Sequence, residues 1–224
     1  MSTRERAINL RDWEVRAHQE GRLKMLVRPV KPQPYRDTEM RHTMFVGGTV
    51  WVRNGKLNAD WAHVVKNPES MIHFCPYGKP GDRLRGREAW RAKSWSEEGW
   101  GEIEYRSDGH VATVEGPWSF TQMYPFDMLP GVWRSAMLMP RFAIRNWLEI
   151  TEVRCGRVRE MSDDDLAAAG FPPDNRPPHD GTRLTLYGRR MTFAYYYETD
   201  HGEASWDRND WVWMIGVKRI EGGV

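Results

Sequence analysis

The chain has 224 residues, with 33 Lys and Arg against 31 Asp and Glu, a formal charge of +2, and twelve tryptophans. That length suits one large domain, or a core domain with insertions, and 40% hydrophobic residues can form a buried core. No apolar run approaches the ~20 residues a membrane-spanning helix needs, and MSTRERAINLRDW at the start lacks the apolar centre of a secretory signal.

The charge is too small to argue by itself for a nucleic-acid partner. Most of the positive charge is nevertheless arginine, interleaved with aromatics, a mixture suited to phosphate forks and base stacking as well as to an ordinary Arg-rich surface. Cys75 and Cys155 belong to no CxxC or Cys/His cluster and read as reduced thiols of a cytoplasmic protein. The seven histidines show no metal-ligand spacing, and there is no phosphate-binding glycine loop, so no metal and no cofactor is expected.

Along the chain, RDWEVRAHQEG (11–21) predicts a short helix with Asp12 as N-cap and Gly21 as its stop. KMLVRPV (24–30) predicts a strand, ended by the prolines of KPQP. Residues 35–74 read as an insertion carrying one hairpin, FVGGTVWVRNGKL, with its turn at Asn54-Gly55. DRLRGREAW (82–90) predicts a strand, EIEYRSDGHVATV (102–114) a hairpin turning at Ser107–Gly109, and RNWLEITEVRCGRV (145–158) a further strand. SDDDLAAAG (162–170) has capping-box spacing between Ser162 and Asp165, with Gly170 as its C-cap. FPPDNRPPHDGTR (171–183) is a proline-rich loop inside a second insertion, 171–209, and YYYETDHGEASW (195–206) is a candidate lid or partner surface. DWVWMIGVKRI (210–220) predicts a closing strand. Strands outnumber helices and are unevenly spaced, which predicts a mainly β chain with short helices (α+β), a small barrel with insertions, in a single domain over 1–224.

Strand periodicity singles out one carboxylate. Leu84, Gly86, Glu88 and Trp90 fall on one face, and Arg83, Arg85 and Arg87 on the other. If Leu84 and Trp90 face the interior, Glu88 does too, and a buried carboxylate must be paired. Arg28 and Lys24, in phase with the apolar residues of their own strand, are the expected partners. Gly86 would leave room for a ligand to come close. The alternative is an internal Glu–Arg pair that merely joins strands. MPRFAIR adds Arg141 and Arg145 beside Phe142, a stacking-plus-phosphate element, and Tyr105 and Arg106 flank a hairpin that could overhang the site.

LRDWEVRAHQEGR, VKPQP, CPYGKPGDRL, REAW, YRSDG, MPRFAIR, LEITEV and NDWVWMIGVKRI, in that order, resemble the ASCH-domain proteins of phages and prophages, often labelled morphogenetic proteins. The resemblance implies a PUA-like β-barrel, a phage or prophage source, and binding of RNA, nucleic acid or a modified nucleobase. Some small bacterial members hydrolyse N4-acylated cytidines with a lysine, a threonine and a glutamate, an arginine lying nearby. Against the family pattern G-R-K-T-x-T-R-R this chain has Gly21, Arg22, Leu23, Lys24, Met25, Leu26, Val27 and Arg28. Leu23 thus stands at the lysine position and Leu26 at the second threonine, whereas Arg28 matches the last arginine and Glu88 the glutamate of R-E-x-W. With the strand reading, the resemblance points to a base-binding pocket of Arg28, Glu88 and Trp90. The residues themselves add Tyr105 above it, Arg141, and an edge of Arg85, Arg87 and Arg91 for phosphates, or else a merely solvated strand face. Two alternatives stand beside it. One is a hydrolase of a modified nucleoside or RNA with Glu88 as base and Lys24 as cation; the other is an assembly protein with a relic pocket.

Overall fold

The computed structural model describes residues 4–31, 33, 40–45, 48–53, 72–96, 100–115, 130–171 and 188–221. The chain is mainly β with few short helices, and among the described residues the sheets do not close into a barrel. Two compact units divide it, Met1–Gly21, Asp82–Glu149 and Arg219–Val224 in the first, Arg22–Gly81 and Ile150–Lys218 in the second.

In the first unit β1 (Glu5–Asn9) runs parallel to β6 (Arg83–Arg87), and β6 pairs antiparallel with the start of β10 (Asn146–Arg157). Helix α1 (Asp12–Gln19) follows β1, burying Val15, Ala17, Glu14 and His18. Its N-cap is Arg11 rather than Asp12, because Glu14 reaches back to accept from the Arg11 backbone N–H at 2.9 Å. Gly21, at φ 73°, supplies the predicted left-handed stop.

The strand predicted over 82–90 is two strands. β6 ends at Arg87, and β7 (Trp90–Trp95) begins a separate antiparallel sheet with β8 (Trp100–Tyr105) and β9 (Val111–Glu115). Glu88 and Ala89 form the step between them. The β8–β9 hairpin turns where the sequence predicts, with Gly109 at φ 69°. Trp90, Ala92, Ile103, Tyr105, Met139, Ala143, Ile144 and Trp147 make the apolar core beneath this sheet.

In the second unit β10 continues beside β11 (Trp211–Arg219), which pairs antiparallel with β2 (Met25–Pro29). β2 is buried on both faces from Met25 to Arg28, so alternation within it cannot tell a pocket side from a core side. Helix α2 (Asp163–Ala168) starts at the predicted Ser162–Asp165 capping box, and Gly170 (φ 95°) follows it. Part of the second insertion is helix α3 (Gly188–His201), with Phe193, Ala194 and Tyr197 buried. A three-stranded sheet, β3 (Met40–Phe45), β4 (Gly48–Arg53) and β5 (Ile72–Phe74), occupies the first insertion. Its first hairpin joins Phe45 to Gly48, earlier than predicted; Asn54-Gly55 lies outside the described residues, as does most of 171–183.

Candidate functional site

The predicted burial of Glu88 is observed, but its predicted partner is not. Leu84, Gly86 and Glu88 are buried and Arg83, Arg85 and Arg87 are not, as the alternation requires. Glu88 is wholly inaccessible, and four hydrogen bonds hold it. Oε1 accepts from Arg145 Nε at 2.8 Å and Asn146 Nδ2 at 2.7 Å; Oε2 accepts from Arg145 Nη2 at 3.0 Å and Ser107 Oγ at 2.6 Å. The fork from Arg145 is bidentate, the strong form of a carboxylate–guanidinium contact. Arg28 and Lys24, expected in that role, belong to the second unit. Arg28 is buried in β2 and donates to the Val27 carbonyl at 2.9 Å. Lys24 is exposed just before β2, while Leu23 and Leu26 at the altered motif positions are core residues.

Each partner of Glu88 is fixed by its own element. Asn146 opens β10 opposite Gly86, and its Oδ1 accepts from Gln19 Nε2 of α1 at 2.7 Å. Ser107 sits in the β8–β9 turn, whose carbonyl accepts from Arg16 Nη1 of α1 at 2.9 Å. Gly86 does not open space for a ligand. A Cβ there would lie 2.5 Å from Leu10 Cδ1 and 2.9 Å from Asn146 Cβ, so the glycine exists to admit those two side chains.

Arg145 lies over the Tyr105 ring, its Cζ 4.0 Å from the centroid. Beneath it the Tyr105 hydroxyl donates to the Ala143 carbonyl at 2.8 Å. Burial pushes the Tyr105 phenol up to about 12, with the Glu88 and Asp108 charges adding and Arg145 opposing. Arg145 Nη2 also donates to Ser107 Oγ at 3.1 Å and to Asp108 Oδ1 at 2.9 Å. Burial works against ionisation of Asp108. The Arg145 hydrogen bond, the His110 backbone N–H and the Arg145 charge outweigh it and hold the carboxyl below its ordinary range.

One edge of this network is left over. Among the described residues Arg145 Nη1 and Asp108 Oδ2 have no hydrogen-bond partner, and the two side chains keep 19% and 31% exposure. One guanidinium nitrogen and one carboxylate oxygen, on two partly exposed side chains joined through Nη2 and Oδ1, are therefore left over among the described residues. Glu88, Asp108 and Arg145 sum to one negative charge, which Arg16 offsets, so the rim carries no excess positive charge to attract an anion.

The remaining predicted residues are distributed elsewhere in the first unit. Trp90 is fully buried in the β7 core, bridged to Arg134, and offers no stacking surface. Arg87 Nη1 donates to the Met137 carbonyl at 3.0 Å. Arg141 is exposed and pairs with Glu5 at 3.2 Å. The outer face of β6 is thus no open arginine edge, since Trp147 shares it and is buried, and Arg85 pairs with Glu5 at 2.8 Å. Sequence reasoning named Arg145 but missed Ser107, Asp108 and Asn146. The signal for them was the polar Ser-Asp-Gly turn and an Asn directly after an Arg at a strand entry.

Among the described residues no three His, Cys, Asp or Glu side chains are placed to hold a metal ion, and no helix is long and apolar enough to cross a membrane. Compared with known protein-family models, with curated proteins and with solved structures, the chain gives no match in any of the three.

Proposed function

We propose that the chain binds a nucleobase, free or within a nucleic acid, at the Arg145–Asp108 rim, and that its sheets are those of a PUA-like ASCH protein. The observation that carries the reading is that Arg145 Nη1 and Asp108 Oδ2, on two joined side chains, have no partner among the described residues. Arg145 is held by Glu88, Ser107 and the Tyr105 ring, and Asp108 by Arg145 and the His110 N–H. A neutral, planar edge with an acceptor next to a donor satisfies both atoms at once, and every nucleobase presents such an edge. A bare phosphate or carboxylate would satisfy Nη1 but place its charge against Asp108.

This reading moves recognition outward from Glu88 and Trp90, because Glu88 has four donors already and Trp90 is sealed in the core. The same saturation weighs against Glu88 as a general base, which needs a lone pair directed at a substrate proton. One chromatographic test separates this reading from the hydrolase. Purified protein is equilibrated with a panel of nucleosides, N4-acetylcytidine included, and bound and free fractions are separated and identified by mass. Retention of a nucleoside, weakened about tenfold or more by Asp108→Asn, supports the rim as reader. Retention unchanged in that variant, or no retention, overturns it. Turnover in place of retention favours the hydrolase.

A further inference from the structure

A second surface of the first unit is apolar and exposed. Gly131–Arg134 lies along the β7 edge, with Gly131 N donating to the Ala92 carbonyl at 2.9 Å and Arg134 N to the Trp90 carbonyl at 2.8 Å. Ser135 Oγ accepts from Met137 N and starts a 3-10 turn over Ala136–Leu138, while Arg87 holds the Met137 carbonyl. Arg91, itself fixed by Glu104 at 2.7 Å, lies over one face of Trp133, 4.6 Å from the ring centroid. On this anchored backbone Val132, Trp133, Met137 and Leu138 are 50%, 40%, 64% and 59% exposed. Four large apolar side chains turned outward within seven residues are what a docking site looks like, not scattered surface hydrophobes.

Charge and shape identify the occupant. From Pro130 to Leu148 the chain contains no Asp or Glu, and Arg134 lies within the apolar run. Arg87, at its margin, makes no ion pair among the described residues. A second copy docking isologously would set these arginines against themselves, which is unfavourable. Single-stranded nucleic acid needs stacking planes, but three of the four side chains are aliphatic and Arg91 covers one face of the fourth. We propose that this ledge docks a partner-protein segment carrying aliphatic side chains flanked by carboxylates, the pattern of an acidic amphipathic helix. The aliphatic groups cover Val132, Met137 and Leu138, and the flanking carboxylates meet Arg87.

The test uses fluorescence anisotropy with two synthetic helices of about 16 residues that share one leucine stripe, with Glu or with Lys on the flanking positions. The Glu peptide is expected to bind the full-length protein at least tenfold more tightly than the Lys peptide, with affinity falling as salt rises. Met137→Asp and Leu138→Asp, at exposed positions and checked for unchanged thermal melting, should each weaken it by about tenfold or more. Equal binding of the two peptides, or unchanged binding by the variants, overturns the proposal. So does competition by oligothymidine that is lost in Trp133→Ala, or a dimer in sedimentation velocity that Met137→Asp abolishes. Absence of binding by the Glu peptide at about millimolar concentration overturns it as well.

Discussion

Replacing Glu88 by Gln keeps the shape of the side chain and removes only its charge and one acceptor. The amide nitrogen must take the place of Oε1 or Oε2, and either way it faces a donor nitrogen of Arg145. At the first position it also meets Asn146 Nδ2, and at the second the Ser107 hydroxyl, which can turn to accept. The substituted amide therefore leaves at least one buried donor of its own unsatisfied and, at the first position, Arg145 Nε as well, at about 1–3 kcal/mol each; at the second position Nη2 keeps Ser107 Oγ and Asp108 Oδ1. Removing one partner of a buried ion pair costs about 3–5 kcal/mol, and because Asp108 still engages Arg145 the lower end applies, about 3 kcal/mol. With a urea slope of roughly 2 kcal/mol per molar, the denaturation midpoint falls by about 1.5 M. Tryptophan fluorescence follows the transition. In a double-mutant cycle with Arg145→Met the coupling should exceed about 1 kcal/mol. A loss under about 1 kcal/mol for Glu88→Gln, with no coupling, would refute the claim that this pair joins the unit together.

Gly86→Ala places a methyl against Leu10 and Asn146 and should cost about 1–3 kcal/mol in the same urea assay, with no compensation from the better strand propensity of alanine. Asp108 has a folded-state pKa below its unfolded value near 4, so the stability it contributes is complete above that value and is lost as pH falls through the folded-state pKa. Thermal melting of wild type and Asp108→Asn across the acid limb should therefore converge at low pH. Tyr105 shifts the opposite way, because burial keeps the phenol protonated up to about 12 against about 10 when unfolded. Its contribution is complete below about 10 and lost as pH rises toward 12. Alkaline absorbance titration should show one late phenol that is missing in Tyr105→Phe.

Where the local pattern was one-sided, the sequence could be read. β6 alternates between a buried and a less covered side, so Leu84, Gly86 and, just past its end, Glu88 were correctly placed inside. β2 is covered on both sides, so the same rule put Lys24 in phase with Arg28 while telling nothing about which face held a site. The partner of Glu88 lies 57 residues away at the entry of β10, and nothing in a period of two connects two such positions among many arginines. The helix at Gly188–His201 was hidden for another reason. Its buried stripe of Phe193, Ala194 and Tyr197 is interrupted by Met191 and Tyr195, which are equally apolar and exposed, so the period of 3.6 is blurred. The break at Glu88–Ala89 was invisible because both β6 and β7 continue the apolar phase through it.

The Glu88 network joins the end of β6, the β8–β9 turn, the start of β10 and, through Asn146 and Ser107, helix α1. Such a cluster is not evidence of function, since desolvating the ions costs much of what pairing returns. It has, however, an inner and an outer half. Glu88, Asn146 and Ser107 are sealed; Arg145 and Asp108 are partly exposed, with one donor and one acceptor unspent among the described residues. A purely structural pair has no use for that remainder, and a reader of planar edges needs it held still. The two halves should therefore separate by mutation. Changes at Glu88 act first on stability, whereas Asp108→Asn near neutral pH acts first on ligand retention with a small change in melting. If Asp108→Asn instead lowers stability as far as Glu88→Gln does, the outer half belongs to the joint and the rim is no reading site.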